Sequence, residues 1–137
     1  MDVFALHPPN GRSMSSWCFD DVRVDLDRLE KDSANSLRAI TTTRATISHD
    51  TLRVLFPHLN GHGKNGKQSL LECKLLRYRL IMRGSVRFEW DDRADRVSSM
   101  DTQSDMLTPL LRLLGNLEDV NRVFQGALVT TDCRILV

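Results

Sequence analysis

The chain has 137 residues, 41% of them hydrophobic, and sets 19 Lys and Arg against 18 Asp and Glu for a net charge of +1. That length builds one domain with a real core, and a charge this even excludes the basic footprint of a nucleic-acid binder, so no sequence-specific DNA contact is expected from this chain. The 3 cysteines, Cys18, Cys73 and Cys133, make no CxxC pair, which points to a reducing compartment, and no apolar run approaches the roughly 18 residues of a membrane span.

Met1 to Ser16 contains Pro8, Pro9 and Gly11 among polar residues, and reads as a flexible leader with no secretory signal. The rest, 17–137, reads as a single α+β domain. From Trp17 to Leu29 apolar and charged positions alternate, with Val22, Val24 and Leu26 on one side. Lys31 to Ser36 is a turn cluster, and Leu37 to Ser48, rich in Thr and Ile, returns as the second strand of a hairpin. Thr41, Thr42, Thr43 and Thr46 suit a half-buried face, with a polar pocket wall as the minority reading.

Ser48 is an N-cap for a short helix that carries Leu52, Leu55 and Phe56 on one face and stops at Pro57. Asn60 to Gly66 is the clearest loop. Ser69 to Leu76 fits either a short helix or an extended segment.

Leu76 to Trp90, LRYRLIMRGSVRFEW, alternates most strictly. Tyr78, Leu80, Met82, Val86, Phe88 and Trp90 fall on one face, and Arg77, Arg79, Arg83, Arg87 and Glu89 on the other. It far exceeds the usual strand of about five or six residues, so it is the spine of a curved antiparallel sheet, with a bulge or kink expected at Gly84. After the polar turn Asp91 to Asp95, Arg96 to Gln103 pairs back with Val97 and Met100 as its apolar residues. Thr108 as N-cap, Pro109 at the first helical position and Gly115 as the stop predict one helix; Asn116, Glu118 and Asp119 open a second, which ends at Gly126. The tail from Ala127 to Val137 is apolar enough to pack or to form an edge strand. Together these elements predict an α+β fold, a curved antiparallel sheet of about four to five strands packed with short helices.

The chemistry is sparse. His58 and His62 are four apart, but Pro57, Gly61 and Gly63 break the helix such a metal pair needs, and His49 has no partner in sequence. Asp91, Asp92 and Asp95 read as a solvated turn, since they lack the alternation of a calcium loop. The arginine row permits a phosphate- or RNA-binding reading, yet cross-strand acids can neutralise it. Leu110, Leu113 and Leu114 match LxxLL, which on a short helix is a buried stripe. No GxGxxG, P-loop, GxSxG or HExxH occurs, so no catalytic, cofactor or metal residue is assigned.

Three stretches carry a resemblance: TLRVLFPHL (Thr51 to Leu59), LIMRGSVRFEWDD (Leu80 to Asp92) and SDMLTPLLRLLGNLEDVNRVFQGALVT (Ser104 to Thr130). Together, over roughly residues 17 to 135, the chain resembles the region after the zipper in oomycete-type bZIP transcription factors, a cone-shaped domain of the NTF2-like (SnoaL-like) kind. The resemblance implies a nuclear regulator whose C-terminal domain dimerises or senses a small ligand; the residues alone leave nuclear and cytoplasmic open. Residues 1 to 50 supply neither the basic helix nor the leucine heptads of a bZIP, and the leading helix that closes such a cone is missing or reduced to the leader. An apolar face is then left for a partner.

The expectation is a non-enzymatic regulatory domain that forms a homo- or heterodimer through its sheet. A small-molecule-binding or enzymatic NTF2-like domain is the alternative. The face made by Tyr78, Leu80, Met82, Val86, Phe88 and Trp90 would be pocket or interface, and its lack of an acid–base pair favours the first reading.

Overall fold

A computed structural model describes residues 18–59 and 66–136. The expected leader, and residues 60–65 of the loop expected over Asn60 to Gly66, His62 among them, therefore lie outside the described residues; Gly66 itself is the first residue of a helix.

Two hairpins build the architecture. β1 (Asp20–Ser33) and β2 (Ser36–Thr46) form the first, β3 (Arg79–Asp91) and β4 (Arg96–Ser104) the second, and β2 against β3 joins them into one antiparallel sheet of order β1-β2-β3-β4. Between the hairpins run α1 (His49–Leu55), a 3-10 turn (Pro57–Leu59) and α2 (Gly66–Leu75); α3 (Leu107–Leu114) and α4 (Leu117–Phe124) follow β4. The α+β curved sheet with short helices is the expected fold, and the strand count is four.

The helix ends follow from their caps. The Ser48 hydroxyl accepts the Thr51 N–H at 3.2 Å while the Thr51 hydroxyl accepts the Ser48 N–H at 3.0 Å, so two orphan donors of α1 are satisfied reciprocally. Asn116 does the same work for α4, accepting the Asp119 N–H at 2.7 Å. Gly115 ends α3 in the left-handed region at φ 82, its N–H on the Leu111 carbonyl. For α3 the cap lies earlier than Thr108: the Asp105 carboxylate accepts both the Thr108 N–H and its hydroxyl, and the helix begins at Leu107. The stretch around Ser69, ambiguous by pattern, is helical and buries Leu71 and Leu75.

Two further expectations are corrected by the pairing register. The first turn is narrower than Lys31 to Ser36, because Lys31 still pairs with Leu37 and Ser33 with Ser36, leaving Ala34 and Asn35 as the loop. Gly84 is not a bulge either: β2 and β3 pair without a shift from Thr46↔Arg79 to Ser36↔Glu89. What Gly84 provides is room. A Cβ there would meet the Gln103 carbonyl oxygen at 2.3 Å and Ser104 Oγ at 2.9 Å. The spine strand also starts later than Leu76, at Arg79, after Arg77 takes φ 68 and gives its N–H to the Ile47 carbonyl.

The bulges sit in the edge strands. On β1, Leu26 pairs with Thr41 and Arg28 with Ile40, so Asp27 is the extra residue. On β4, Ser99 pairs with Glu89 and Val97 with Trp90, so Ser98 is the extra one. β1 has two further register shifts, between Asp20 and Arg23 and between Lys31 and Ser33; the bulges at Asp27 and Ser98 each carry an apolar pair spaced by three, Leu26 with Leu29 and Val97 with Met100, onto a single face.

The helices cover only one end of that face. Ala45, Leu80 and Met82 from the sheet join Leu52, Leu55 and Phe56, Leu71 and Leu75, Leu110 and Leu114, and Val120 and Val123 in one buried cluster. Leu110 and Leu114 thus spend the LxxLL spacing on the core, with Leu113 half-buried beside them. The tail closes the cluster through Val129 and Cys133 and is tied down by an isolated Val129↔Ile135 bridge.

Candidate association surface

The face expected from the spine strand is divided in two by the fold. Leu80 and Met82 lie in the main core, Val86 is buried beyond it, and Tyr78 is half-buried in the turn before β3. Only Phe88 and Trp90 reach the end that no helix covers. There the register assembles rows across the sheet: Leu29–Ala39–Val86–Thr102, then Lys31–Leu37–Phe88–Met100, then Trp90–Val97. Leu26, Leu29, Leu37, Trp90, Val97 and Met100 are each between 36% and 60% exposed. A groove of about 490 Å³ runs through the middle of this patch, floored by Leu29, Leu37, Phe88, Trp90 and Val97.

Continuity is the notable property. Single exposed apolar side chains are normal, whereas a contiguous patch of several hundred Å² marks an interaction site. Its composition fits as well, since Trp, Phe and Met are enriched at interface centres. Lys31 and Asp92 stand at the flanks of the groove, and neither makes an ion pair with the other described residues.

The opposite face of the sheet is charged and largely satisfied. Arg44 meets Asp25 at 2.6 Å, Arg87 meets Asp32 at 3.0 Å and Glu89 at 3.5 Å, and Arg38 meets Asp32 at 3.7 Å. Arg79 donates to the Thr46 hydroxyl at 2.8 Å. The arginine row is thereby engaged by neighbouring strands, apart from Arg83, and Arg77 lies outside it in the turn. Of the threonines, Thr41 and Thr43 are buried on the core face, while the Thr42 hydroxyl donates to Asp27 at 2.6 Å on the outer one.

Elsewhere the titratable groups serve the fold. His58 sits on the 3-10 turn and its Nε2–H donates to the Arg122 carbonyl at 2.9 Å, tying that turn to α4. Among the described residues no three His, Cys, Asp or Glu side chains are placed to hold a metal ion. Asp119 lies at the N-terminus of α4, and the Asn116 side-chain hydrogen bond holds its carboxyl below the usual range; burial opposes this, and Lys67 and Arg122 add to it. Asp132 is likewise lowered, chiefly by the Thr130 hydroxyl, against its own partial burial. Burial pushes the Cys133 thiol up to about 12, with Asp132 and Cys18 adding to the effect. No disulfide joins the cysteines, of which Cys73 alone is exposed.

Alternation along the spine points to Phe88 and Trp90 but misses most of the surface. Leu26 with Leu29, and Val97 with Met100, break the period of two, and their spacing of three is the one signal that bulges would reunite them. Leu37 was legible as a strand residue, though not as an uncovered one.

No protein-family model, curated protein or solved structure matches this chain. No helix among the described residues is long and apolar enough to cross a membrane.

Proposed function

We propose that this protein is a non-enzymatic association domain that pairs with a second copy of itself through the open half of its sheet, as a regulatory domain of the bZIP-associated, NTF2-like kind. The observation that carries the reading is the contiguous patch of exposed Leu26, Leu29, Leu37, Trp90, Val97 and Met100 around Phe88. A stable pair buries about 800 Å² on each partner, with an apolar centre and a polar rim. This patch supplies such a centre, and Lys31 and Asp92 supply charge at its rim.

Pairing by sheet edges is disfavoured. The outer strand β1 carries Asp25, Asp27, Glu30 and Asp32 along its length and is bulged. Its register shifts would leave two such edges side by side with an irregular ladder. Face-to-face packing of sheets, at about 10 Å, has no such cost here.

The direct test is Trp90→Arg in sedimentation velocity. The wild-type chain is expected to sediment as a dimer and the variant as a monomer with unchanged circular dichroism; equal sedimentation of the two would reject the surface. A second reading rests on the groove itself, whose volume of about 490 Å³ falls in the range of about 300–1,000 Å³ typical of small-ligand pockets. Under that reading the wild-type chain is a monomer whose Trp90 fluorescence responds to an apolar probe.

A further inference from the structure

Independently of the association reading, we infer that the cleft where β3 and β4 meet the tail binds a small zwitterion, an amino carboxylate. Arg83 takes its carboxylate and Asp105 its ammonium group. The cleft holds about 310 Å³, at the lower end of the range for small-ligand pockets. Arg83, Ser85, Gln103, Asp105, Thr131 and Asp132 are among its lining residues, with Gly84 and Ser104 between them. Of the charged residues in this lining, Arg83 and Asp105 have no ion-pair partner among the described residues, whereas Asp132 is held by Arg134 at 3.0 Å.

The two unpaired charges are backbone neighbours, since the Asp105 N–H donates to the Arg83 carbonyl at 2.8 Å. Their side chains nevertheless do not meet. The Asp105 carboxylate is turned to the first turn of α3, where it accepts the Thr108 N–H at 3.1 Å and its hydroxyl at 2.5 Å. On β2, Arg83 stands opposite Thr42, which is uncharged and gives its hydroxyl to Asp27. One cation and one anion are thus left in a single small cleft without neutralising each other. A ligand that carries both charges answers both. The planar fork of an arginine matches a carboxylate in two parallel hydrogen bonds. A carboxylate has roughly four lone-pair sites, so Asp105 keeps some free for an ammonium after serving Thr108. A phosphate dianion fits worse, because the same carboxylate repels it.

Ser104 is a second and separate observation. It is 8% exposed, and its hydroxyl has no hydrogen-bond partner among the described residues. Buried polar groups are normally paired, so an unpaired hydroxyl in the lining of a cleft marks a place for a ligand atom. Gly84 leaves space beside it: a Cβ there would come within 2.9 Å of that oxygen.

The test is an NMR titration of the full chain with glycine, β-alanine and γ-aminobutyrate, zwitterions of increasing charge separation. Acetate, methylamine and inorganic phosphate serve as controls. At least one zwitterion is expected to shift the backbone amides of Gly84, Gln103 and Asp105 saturably, and to bind about tenfold more tightly than any control. Arg83→Gln and Asp105→Asn are each expected to weaken that binding about tenfold, the loss of one charge-assisted contact. Arg83 is exposed, and the amide in Asp105→Asn still accepts the Thr108 N–H, so the circular dichroism of both variants should match wild type. Zwitterions that leave those amides unmoved would overturn the proposal. Acetate binding as tightly as the zwitterions, or phosphate binding more tightly, would overturn the class of ligand. Undiminished binding by both variants would remove Arg83 and Asp105 from the site and overturn the proposal as well. None of these outcomes turns on whether the chain self-associates, so a failure here leaves the association surface to its own test.

Discussion

Trp90 on β3 stands opposite Val97 on β4, across a bulge at Ser98, which is skipped in the register and gives its hydroxyl to the Glu89 carbonyl at 3.2 Å. Without that extra residue the strict alternation of β4 would turn Val97 and Met100 to opposite faces. With it, both join Trp90 and Phe88 on the uncovered end of the sheet. Trp90→Ala is accordingly expected to weaken self-association by about 30-fold, the loss of roughly 2 kcal/mol that marks an aromatic hot spot. Equilibrium sedimentation reads the loss, and the urea midpoint of the dilute monomer should hardly change, because Trp90 lies outside the core cluster.

Gly84 gives the opposite kind of prediction, one of stability without a change in surface chemistry. The Gln103 carbonyl occupies the space a side chain would need, so Gly84→Ala must push β4 away from β3 or distort both. Overpacking of this sort costs about 1–3 kcal/mol. Urea unfolding should show the drop, and Ser85→Ala next to it serves as a control with little effect.

Acid should act through Asp119. Its folded-state pKa is lowered, first by Asn116 and then by Lys67 and Arg122. The stability this contributes is present above the unfolded value of about 3.9 and is lost as pH falls through the lower folded value. Asp119→Asn is expected to be less stable at neutral pH and to show a flatter decline below about pH 4 than wild type. Asn116→Ala removes both the lowering hydrogen bond and the N-cap, at about 1 kcal/mol for the cap, and should shift the same acid limb.

The thiols should separate cleanly under alkylation at pH 8. Cys73 is exposed, whereas Cys133 is buried and held at about 12, so almost none of it is thiolate. Mass spectrometry after a brief iodoacetamide treatment is expected to find Cys73 modified and Cys133 intact, and both modified in denaturant. Rapid native labelling of Cys133 would contradict its burial in the core cluster.

Much of the fold was legible because local signals agreed with the tertiary outcome. Ser48, Asn116 and Gly115 cap helices by chemistry that belongs to a few adjacent residues, and the alternation from Tyr78 to Trp90 needs only the pleat of one strand. What could not be read depended on contacts far apart in sequence. Gly84 reads as a bulge until its unshifted pairing with Thr41 and the Gln103 carbonyl against it are seen. Met106, not Thr108, is the N-cap of α3, and the Asp105 carboxylate before it accepts the Thr108 N–H and hydroxyl. The apolar row from Tyr78 to Trp90 is uniform in sequence, and only the placement of the helices buries Leu80 and Met82 while leaving Trp90 in the open. The exposed apolar patch therefore emerges from an incomplete covering of the sheet, a property no local pattern records.

The measurement that bears most directly on this account is the mass of the purified chain by light scattering across a dilution series. Association through the open sheet face requires a mass near twice 15.6 kDa at high concentration, falling toward the single-chain value on dilution. A mass of 15.6 kDa at every concentration would contradict it.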